Sequence, residues 1–361
     1  MSSTTNAKVA VIGGTGYGGA ELIRLLSAHP HVDLVRVTSI DRVDEPLEAV
    51  HHNLTNTGLT FQNIPPAAAA EGVDVVFLAL PHKVSSTMAA QLEGVAARII
   101  DLSGDFRLRN AVAYGEFYGV EHPNPEQLDG RWVYGLPELN RDRIKEATRV
   151  ASPGCFATTI ALGLLPIARE GLLSGPVQTV AATGSSGSGA YAKAGTHHPY
   201  RANNLKIYKP LVHQHTPEIE QTLNEAASRG GKGQPAFSLN FVPLSAPLAR
   251  GILANSFVRL PPHVGPDVVA SLFAEAYGDE PFVRVLPKSA GRGAEVVAIK
   301  GSMYVDLSYT VGPEVGGSRQ LVVTTAVDNL VKGGAGQAVQ SMNLVLGLPE
   351  TSGIAAPALW P

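Results

Sequence analysis

Lys8-Val9-Ala10-Val11-Ile12-Gly13-Gly14-Thr15-Gly16-Tyr17-Gly18-Gly19-Ala20-Glu21-Leu22-Ile23 opens the chain as strand, turn and helix. Lys8 to Gly13 is a short apolar run with β-branched residues. From Tyr17 to His29 the apolar residues Leu22, Ile23, Leu25 and Leu26 return at helical spacing. The glycines between follow G-x-x-G-x-x-G rather than G-x-G-x-x-G, but the physics is shared. Glycine lets the backbone turn sharply and approach a diphosphate, and the free N–H groups of the helix N-terminus face it. The plain alternative is a tight turn with no ligand. Its place after a first strand and before a first helix favours a dinucleotide site made by Gly13, Thr15, Gly16, Tyr17 and Gly18.

Outward from this turn the rhythm continues. Leu34 to Ser39 reads as a second strand, ending in Thr38-Ser39-Ile40-Asp41-Arg42. An acid here suits the ribose hydroxyls of NAD, whereas Ser39 and Arg42 suit the 2′-phosphate of NADP. The expected cofactor is NADPH/NADP. Val73 to Leu80 is a continuous apolar run, typical of a strand buried on both faces. A helix over Val84 to Leu92 and a strand over Ala97 to Leu102 follow. Alternating strands and helices imply a doubly wound parallel sheet. Residues 104–136, rich in Gly, Tyr, Pro and charge, read as loops. Asn140 is expected to cap a short helix through Ala147, and 148–153 lead into Cys155.

After Cys155 the character changes. Phe156 to Ala168 reads as a helix, then strands are expected at 177–183, 237–245, 250–260, 282–287, 295–310 and 319–327. Few helices separate the later strands, so the second sheet is expected to be mixed and largely antiparallel. Pro266 to Tyr277 and Asp328 to Leu346 read as helices. The fold expected is α/β, a Rossmann-type doubly wound sheet followed by an α+β domain.

Composition bounds the function. The chain has 361 residues, 44% apolar, with 28 basic and 31 acidic side chains and a net charge of −3. That balance gives no reason to expect nucleic acid or a membrane surface as partner. No apolar run reaches the ~18 residues that a membrane helix needs. Met1 to Lys8 is short and polar, unlike a signal peptide. One cysteine permits no intrachain disulfide, which fits a reducing, cytoplasmic setting.

That cysteine carries the chemistry. In Ser152-Pro153-Gly154-Cys155-Phe156-Ala157-Thr158-Thr159, Pro and Gly stop a strand and a helix starts at once. A thiol at a helix N-terminus has its thiolate stabilised by the macrodipole. The same N–H groups can receive an oxyanion. Alone, Cys155 would read as a small buried apolar residue; beside a dinucleotide site it reads as the nucleophile of acyl-enzyme oxidoreduction.

His213-Gln214-His215 precedes Thr216-Pro217-Glu218, where Thr216 reads as an N-cap and Pro217 as the first helical residue. In an extended approach both histidines point the same way, and either can serve as the acid–base. The rival is a metal site with His197 and His198 added. No HExxH or cysteine pair accompanies them, and no metal is expected. Gly184-Ser185-Ser186-Gly187-Ser188-Gly189 can form an anion-binding nest. Ser103-Gly104-Asp105-Phe106-Arg107 ends a strand at the ligand edge of the sheet, where Ser103 and a bidentate Arg107 would meet a carboxylate or phosphate. For each of these loops the alternative is an ordinary connection.

Taken in order, these segments resemble the N-acetyl-γ-glutamyl-phosphate reductase family, relatives of aspartate-semialdehyde dehydrogenase. The likeness runs nearly end to end. It rests on Gly13–Gly19, Leu80-Pro81-His82, Asp101 to Leu108, Tyr134-Gly135-Leu136-Pro137-Glu138, Pro153-Gly154-Cys155, His213 to Glu220, Arg250-Gly251-Ile252 and Asp328 to Gly333. The resemblance implies an NADP-binding Rossmann domain over 1–153, completed by a C-terminal helix within 328–361, with Leu80, Pro81 and Asn329 added to the cofactor residues. It implies a catalytic, substrate and oligomerisation domain over 154–327. It also implies a thioester on Cys155, hydride from NADPH, and a homodimer or homotetramer.

One stretch departs from the pattern. Where the arginine-pathway loop continues as S-G-A-G-R, this chain has Gly187-Ser188-Gly189-Ala190-Tyr191-Ala192-Lys193, so a basic substrate contact is missing or moved to Lys193. Thr196-His197-His198-Pro199-Tyr200-Arg201-Ala202-Asn203, which places His198 at the substrate, resembles the lysine-pathway branch. That branch reduces an aminoadipyl phosphate held on a small acidic carrier protein, a partner that Arg201, Lys206 and Lys209 would suit. The substrate expected first is N-acetyl-γ-glutamyl phosphate, with carrier-bound aminoadipyl 6-phosphate as the alternative. Outside this family stand an aspartyl-phosphate-type dehydrogenase and a non-catalytic dinucleotide sensor.

Overall fold

The computed structural model describes residues 6–128, 130–233 and 237–360; the first five residues, part of the stretch read above as no signal peptide, lie outside it. The chain forms two units. One spans Met1–Gly154 and Gly334–Ala356, the other Cys155–Gly333 and Pro357–Pro361.

In the first unit the apolar runs become strands of one sheet: β1 (Ala7–Ile12), β2 (Val32–Thr38), β3 (Phe61–Gln62), β4 (Val75–Leu78), β5 (Ile99–Asp101), β6 (Val133–Tyr134) and β7 (Arg149–Ala151). Their order is β3-β2-β1-β4-β5-β7-β6, and every pair is parallel. Val75 to Leu78 are buried on both faces, as the unbroken apolar run requires. The connections hold α1 (Tyr17–Ser27), α2 (Leu47–Val50), α3 (Pro66–Ala70), α4 (Val84–Gln91), α5 (Ala111–Tyr118) and α6 (Pro137–Lys145). Because β1 and β4 are neighbours with crossovers leaving in opposite directions, their carboxyl ends form a switch-point crevice. The glycine turn leaves β1 there, and Leu80-Pro81 leave β4 beside it.

Two expectations fail here. Residues 104–136 are not all loop, since α5 lies within them. Asn110 caps it, its side-chain oxygen accepting from Val112 N at 2.8 Å and Ala113 N at 3.2 Å. Asn140 is no cap: α6 starts at Pro137, and Asn140 sits inside it with a non-helical backbone, its Nδ2 donating to Tyr134 O at 2.9 Å.

The second unit begins with α7 (Cys155–Arg169), then β8 (Gly175–Thr183), α8 (His198–Arg201), β9 (Lys206–Ile207), α9 (Thr216–Arg229), β10 (Phe237–Ser245), β11 (Ile252–Leu260), α10 (Pro266–Tyr277), β12 (Val283–Val285), β13 (Val305–Val315) and β14 (Ser318–Val327). The sheet order is β12-β13-β14-β11-β8-β10-β9. Two pairs are parallel and four antiparallel, so the sheet is mixed and largely antiparallel. The strand expected at 295–310 starts only at Val305.

Pro166 lies inside α7. Having no N–H, it leaves the Leu162 carbonyl without its intrahelical donor; the Tyr277 hydroxyl of α10 donates to that oxygen instead. The stretch Asp328–Leu346, read as one helix, is broken. Val331–Ala335 makes a wide turn kinked at Gly334, and α11 (Gly336–Val345) returns to the first unit. All ten residues of α11 are buried. Its polar side chains are spent on partners: Gln337 Nε2 donates to Gly135 O, Gln340 Nε2 to Glu350 Oε1, and Asn343 Nδ2 to Glu350 O and Ser352 O. No helix among the described residues is long and apolar enough to cross a membrane.

Candidate active site

In the glycine turn, sterics divide the residues into two kinds. A Cβ on Gly13, which has φ +93°, would lie 2.7 Å from Ala79 O; one on Gly14 would lie 2.2 Å from Val37 Cγ1; one on Gly19 would lie 2.7 Å from Gly13 O. These glycines are demanded by the protein's own packing. Gly16 and Gly18 are different: a Cβ on Gly16 meets nothing within 4 Å, and one on Gly18 only Leu102 Cδ2 at 4.0 Å. The space above them is open, as a phosphate-binding turn requires. Gly16 caps α1 with no side-chain hydrogen bond, so the N–H groups of the first turn face that space. Thr15 flanks the turn and Tyr17 is exposed. His51, not noticed in the sequence, holds the turn through Nε2 at 2.8 Å from Gly14 O.

At the end of β2, Ser39 Oγ accepts from Asp41 N at 3.1 Å and Arg42 N at 3.3 Å, shaping the loop. Arg42 projects outward in a surface ion pair with Glu45 at 3.4 Å, weak enough to yield to a ligand. Leu80 packs against the Gly13 turn, its Cδ2 2.7 Å from where a Gly13 Cβ would be, and Pro81 is exposed beside it.

Ser103 and Arg107, expected as anion ligands, are both engaged within the protein. Ser103 Oγ donates to Asp101 Oδ2 at 2.7 Å and accepts from Asp105 N at 3.0 Å. Burial pushes the Asp101 carboxyl up to about 6, against the hydrogen bonds from Ser85 and Ser103. Arg107 is buried; its Nε donates to Ser152 O and its Nη2 to Leu102 O, each at 2.7 Å. It ties the end of β5 to the end of β7, three residues before Cys155.

In the second unit Cys155 is the first residue of the 15-residue α7 and is half-buried. Phe156 behind it packs edge-on against His213, with ring centroids 5.4 Å apart, and against His215 at 6.2 Å. The approach to α9 is a turn rather than an extended run. Thr216 N donates to His213 O at 2.9 Å, and His215 N to His213 Nδ1 at 3.2 Å. His215 itself is the N-cap and Thr216 already helical, which corrects the cap assignment. The turn still brings the two imidazoles to 4.8 Å. Because His213 Nδ1 accepts, the neutral ring carries its proton on Nε2. Burial, with Lys209 nearby, lowers its pKa to about 4.

Cys155, His213 and His215 line one cavity of about 360 Å³. Four cations, Lys193, Arg201, Lys206 and Lys209, also line it, and among the described residues no Asp or Glu does. Tyr208, missed in the sequence, is in the wall too; burial and then the charge on Cys155 push its hydroxyl upward, with Arg201 opposing. Arg201 is not a free surface cation: it donates to Thr183 O, Ala246 O and Ser245 Oγ. A second missed residue is Gly333, where a Cβ would lie 3.0 Å from Cys155 Cβ.

The Gly/Ser loop is no open nest. Gly184 N donates to Gly251 O, Ser185 N to Leu248 O and Ser186 N to Ala249 O, so those N–H groups are already used. Gly187 and Ser188 reach the cavity wall. Ser186 Oγ instead meets Asn329 Nδ2 at 2.9 Å, while Asn329 Oδ1 accepts from Gly251 N at 2.7 Å. Asn329 is thereby spent largely on bracing this loop. His198 is exposed and outside the cavity wall. Among the described residues no three His, Cys, Asp or Glu side chains cluster as a metal site.

Comparison with known proteins gives the family. Residues 8–147 match the semialdehyde dehydrogenase NAD binding domain, and residues 155–329 the semialdehyde dehydrogenase dimerisation domain. The chain is 40% identical to LysW-L-2-aminoadipate 6-phosphate reductase of Deinococcus radiodurans, covering 99% of each chain. It is 40% identical to N-acetyl-gamma-glutamyl-phosphate reductase of Desulforudis audaxviator, over 98% of this chain and 99% of that one. With the Salinispora tropica enzyme of that name it shares 43% identity over 96% and 97%. Among solved structures, aspartate semialdehyde dehydrogenase II of Vibrio cholerae superposes with a TM-score of 0.69 at 16% identity, over 95% of this chain and 99% of that one; this likeness concerns the fold. On the full-length relatives and the two matched domains, the chain is an oxidoreductase that belongs to the N-acetyl-γ-glutamyl-phosphate reductase family of semialdehyde dehydrogenases.

Proposed function

We propose that this chain reduces N-acetyl-γ-glutamyl phosphate to N-acetylglutamate 5-semialdehyde, an arginine-biosynthetic step in the cytoplasm, with NADPH and through a thioester on Cys155. The observation that carries the reading is the cavity at Cys155, lined by four cations and, among the described residues, by no carboxylate. A cavity of that charge repels a cationic substrate and favours a polyanion. An acyl phosphate that also bears a carboxylate is one.

In this mechanism the macrodipole of α7 holds Cys155 as thiolate. Its Sγ attacks the acyl carbon; the S–C bond forms, the C–O bond to phosphate breaks, and the cations receive the phosphate. NADPH, when bound, would supply the hydride that reduces the thioester to the level of a hemithioacetal. His213, neutral with its proton on Nε2, and His215 serve the developing oxyanion as hydrogen-bond donor and proton carrier. Collapse breaks the C–S bond, frees the aldehyde and restores the thiolate. The first unit, through Gly13, Thr15, Gly16, Tyr17, Gly18, Leu80 and Pro81, is the dinucleotide domain. The open space over Gly16 and Gly18 fits a diphosphate, and Ser39 and Arg42 would take the 2′-phosphate. The dimerisation match supports a homodimer or homotetramer.

A second reading has its own support. Tyr191, Leu205, Ile207, Leu211 and Val212 are exposed apolar residues interleaved with Lys193, Lys206 and Lys209, more apolar surface than a small substrate needs. This favours aminoadipyl 6-phosphate presented on a small acidic carrier protein. Phosphate-dependent NADP⁺ reduction, run with N-acetylglutamate semialdehyde and with carrier-bound aminoadipate semialdehyde, separates the two. Turnover of the first is expected. Turnover of the second alone moves the enzyme to lysine synthesis, and turnover of neither refutes both.

A further inference from the structure

Of the four cations around the cavity, three are ordinary. Lys193, Lys206 and Lys209 are exposed on long stems, hydrated and mobile. Lys193 Nζ meets Ser188 O at 3.4 Å, Lys206 Nζ the Tyr200 hydroxyl at 2.8 Å, and Lys209 Nζ Gln214 Oε1 at 3.3 Å. Arg201 is held differently. Its Nη2 donates to Thr183 O at 3.1 Å and Ala246 O at 2.9 Å, and its Nη1 donates to Ser245 Oγ. Thr183 and Ser245 end the parallel strands β8 and β10, both interior to the sheet, so the guanidinium is fixed to the carboxyl ends of two paired strands.

No carboxylate pairs with it among the described residues. Arg250 and Arg284 of the same unit, by contrast, each pair with a fully buried aspartate, Asp328 and Asp306. The buried Nε of Arg201 has no acceptor, and its Nη1 has a second N–H beyond the one given to Ser245. A half-buried cation without a counter-charge is costly for a protein to hold. A binding site is the place where a ligand anion repays that cost. Arg201 and Cys155 line the same cavity, with Tyr208 in its wall, so the fixed cation and the nucleophile can address one bound molecule.

We infer that Arg201 determines specificity by binding the carboxylate that the substrate carries on its α-carbon, remote from the acyl phosphate. This rests on the function proposed above, under either substrate. It divides the cavity's charge between two tasks. The mobile lysines meet the phosphate, which must leave, and the fixed arginine meets the carboxylate, which stays through both chemical steps.

The test compares two aldehydes in the phosphate-dependent oxidation. N-acetylglutamate semialdehyde has the carboxylate; 4-acetamidobutanal is the same molecule with hydrogen in its place. Wild type should prefer the first by roughly 10- to 100-fold in kcat/KM, the range of a charge-assisted hydrogen bond. In Arg201→Met the preference should fall to about 1 to 3-fold, and Arg201→Lys should lie between. The loss should fall mainly on KM, with NADPH affinity by fluorescence titration unchanged. Equal losses on both aldehydes, leaving the ratio intact, would make Arg201 a brace for residues 198–209 and overturn the inference. A wild-type ratio near one would do the same, without any variant. Wild type inactive on both aldehydes refutes the first substrate reading, and the inference for that substrate with it.

Discussion

Gly333→Ala should slow the nucleophile while sparing the fold. The new Cβ would lie 3.0 Å from Cys155 Cβ, 3.3 Å from Cys155 Cα and 3.2 Å from Asp328 O. Carbon pairs rest at about 3.5–4.0 Å, and a neighbour must yield by a few tenths of an ångström. Asp328 is the poor candidate, since it takes an ion pair from Arg250 at 3.0 Å and hydrogen bonds from Gly301 N at 2.7 Å and Leu330 N at 2.8 Å. The first turn of α7 is the softer side, and Cys155 moves with it. Overpacking of this kind costs about 1–3 kcal/mol of stability, a few degrees of Tm per kcal/mol for a domain of this size. A shift of about 1 Å at a reacting atom costs on the order of 100-fold in rate, so a few tenths of that costs roughly 3- to 10-fold. We therefore expect kcat to fall by roughly that factor, with Cys155→Ser marking the inactive floor. Iodoacetamide alkylation should slow in parallel, because the thiolate leaves its place over the helix N-terminus. The assay is steady-state turnover beside alkylation followed by mass spectrometry. A lowered Tm with kcat within about twofold of wild type would refute the reasoning: the glycine would then serve packing alone.

Two glycines of the first turn should respond with opposite signs. Gly18→Ala has open space for its methyl and gains helix propensity, so thermal stability should hold or rise by up to about 1 kcal/mol. NADPH binding, read by fluorescence, should weaken at the same time. Gly19→Ala drives a methyl to 2.7 Å from two backbone carbonyls and should cost several kcal/mol, seen as loss of soluble protein or of a cooperative melt. Arg42→Ala should raise the Kd for NADPH by roughly 10- to 100-fold and that for NADH by less than twofold, measured by the same titration. His213 has a folded pKa of about 4 against 6.5 unfolded. Its neutral form is thus favoured by folding, and stability is complete above the unfolded value and lost as pH falls from 6.5 toward 4. From pH 7 to 5 this one group should remove about 2 kcal/mol. Burial also lowers His29 and His122, so the contribution is read as the difference between wild type and His213→Gln in urea unfolding at the two pH values.

How much of this was legible follows from the range of the forces involved. The glycine turn and Cys155 were readable because their signals are local: a strand, a sharp turn and a helix start lie within a few residues. The parallel order of the first sheet followed from unbroken apolar runs. Helix α5 was hidden because its residues, Ala111-Val112-Ala113-Tyr114-Gly115-Glu116-Phe117-Tyr118, bury only Tyr114 and so lack an amphipathic stripe. Ser103 and Arg107 have the chemistry of anion ligands, but Asp101, Asp105 and two backbone carbonyls compete for them, and residue type does not reveal a competitor. The Gly/Ser loop failed as a nest for a similar reason, its N–H groups being claimed by residues 248–251. Gly333 ends a segment that carries the resemblance, but neither its role nor that of Tyr208 was assigned, because one matters through what it leaves empty and the other through what it faces.

Pro166 and Tyr277 stand on different helices, far apart in sequence, yet they amount to one decision. Removing the hydroxyl alone, by Tyr277→Phe, strands a buried carbonyl at a cost of about 1–3 kcal/mol. Restoring the helix N–H alone, by Pro166→Ala, gives that carbonyl a second donor, and its two lone pairs can accept the N–H and the hydroxyl together. Both changes together leave neither group unmet. Lineages of this fold that carry the proline should therefore also carry the tyrosine, whereas the tyrosine does not require the proline, and the intermediate with the proline alone should be brief in its history.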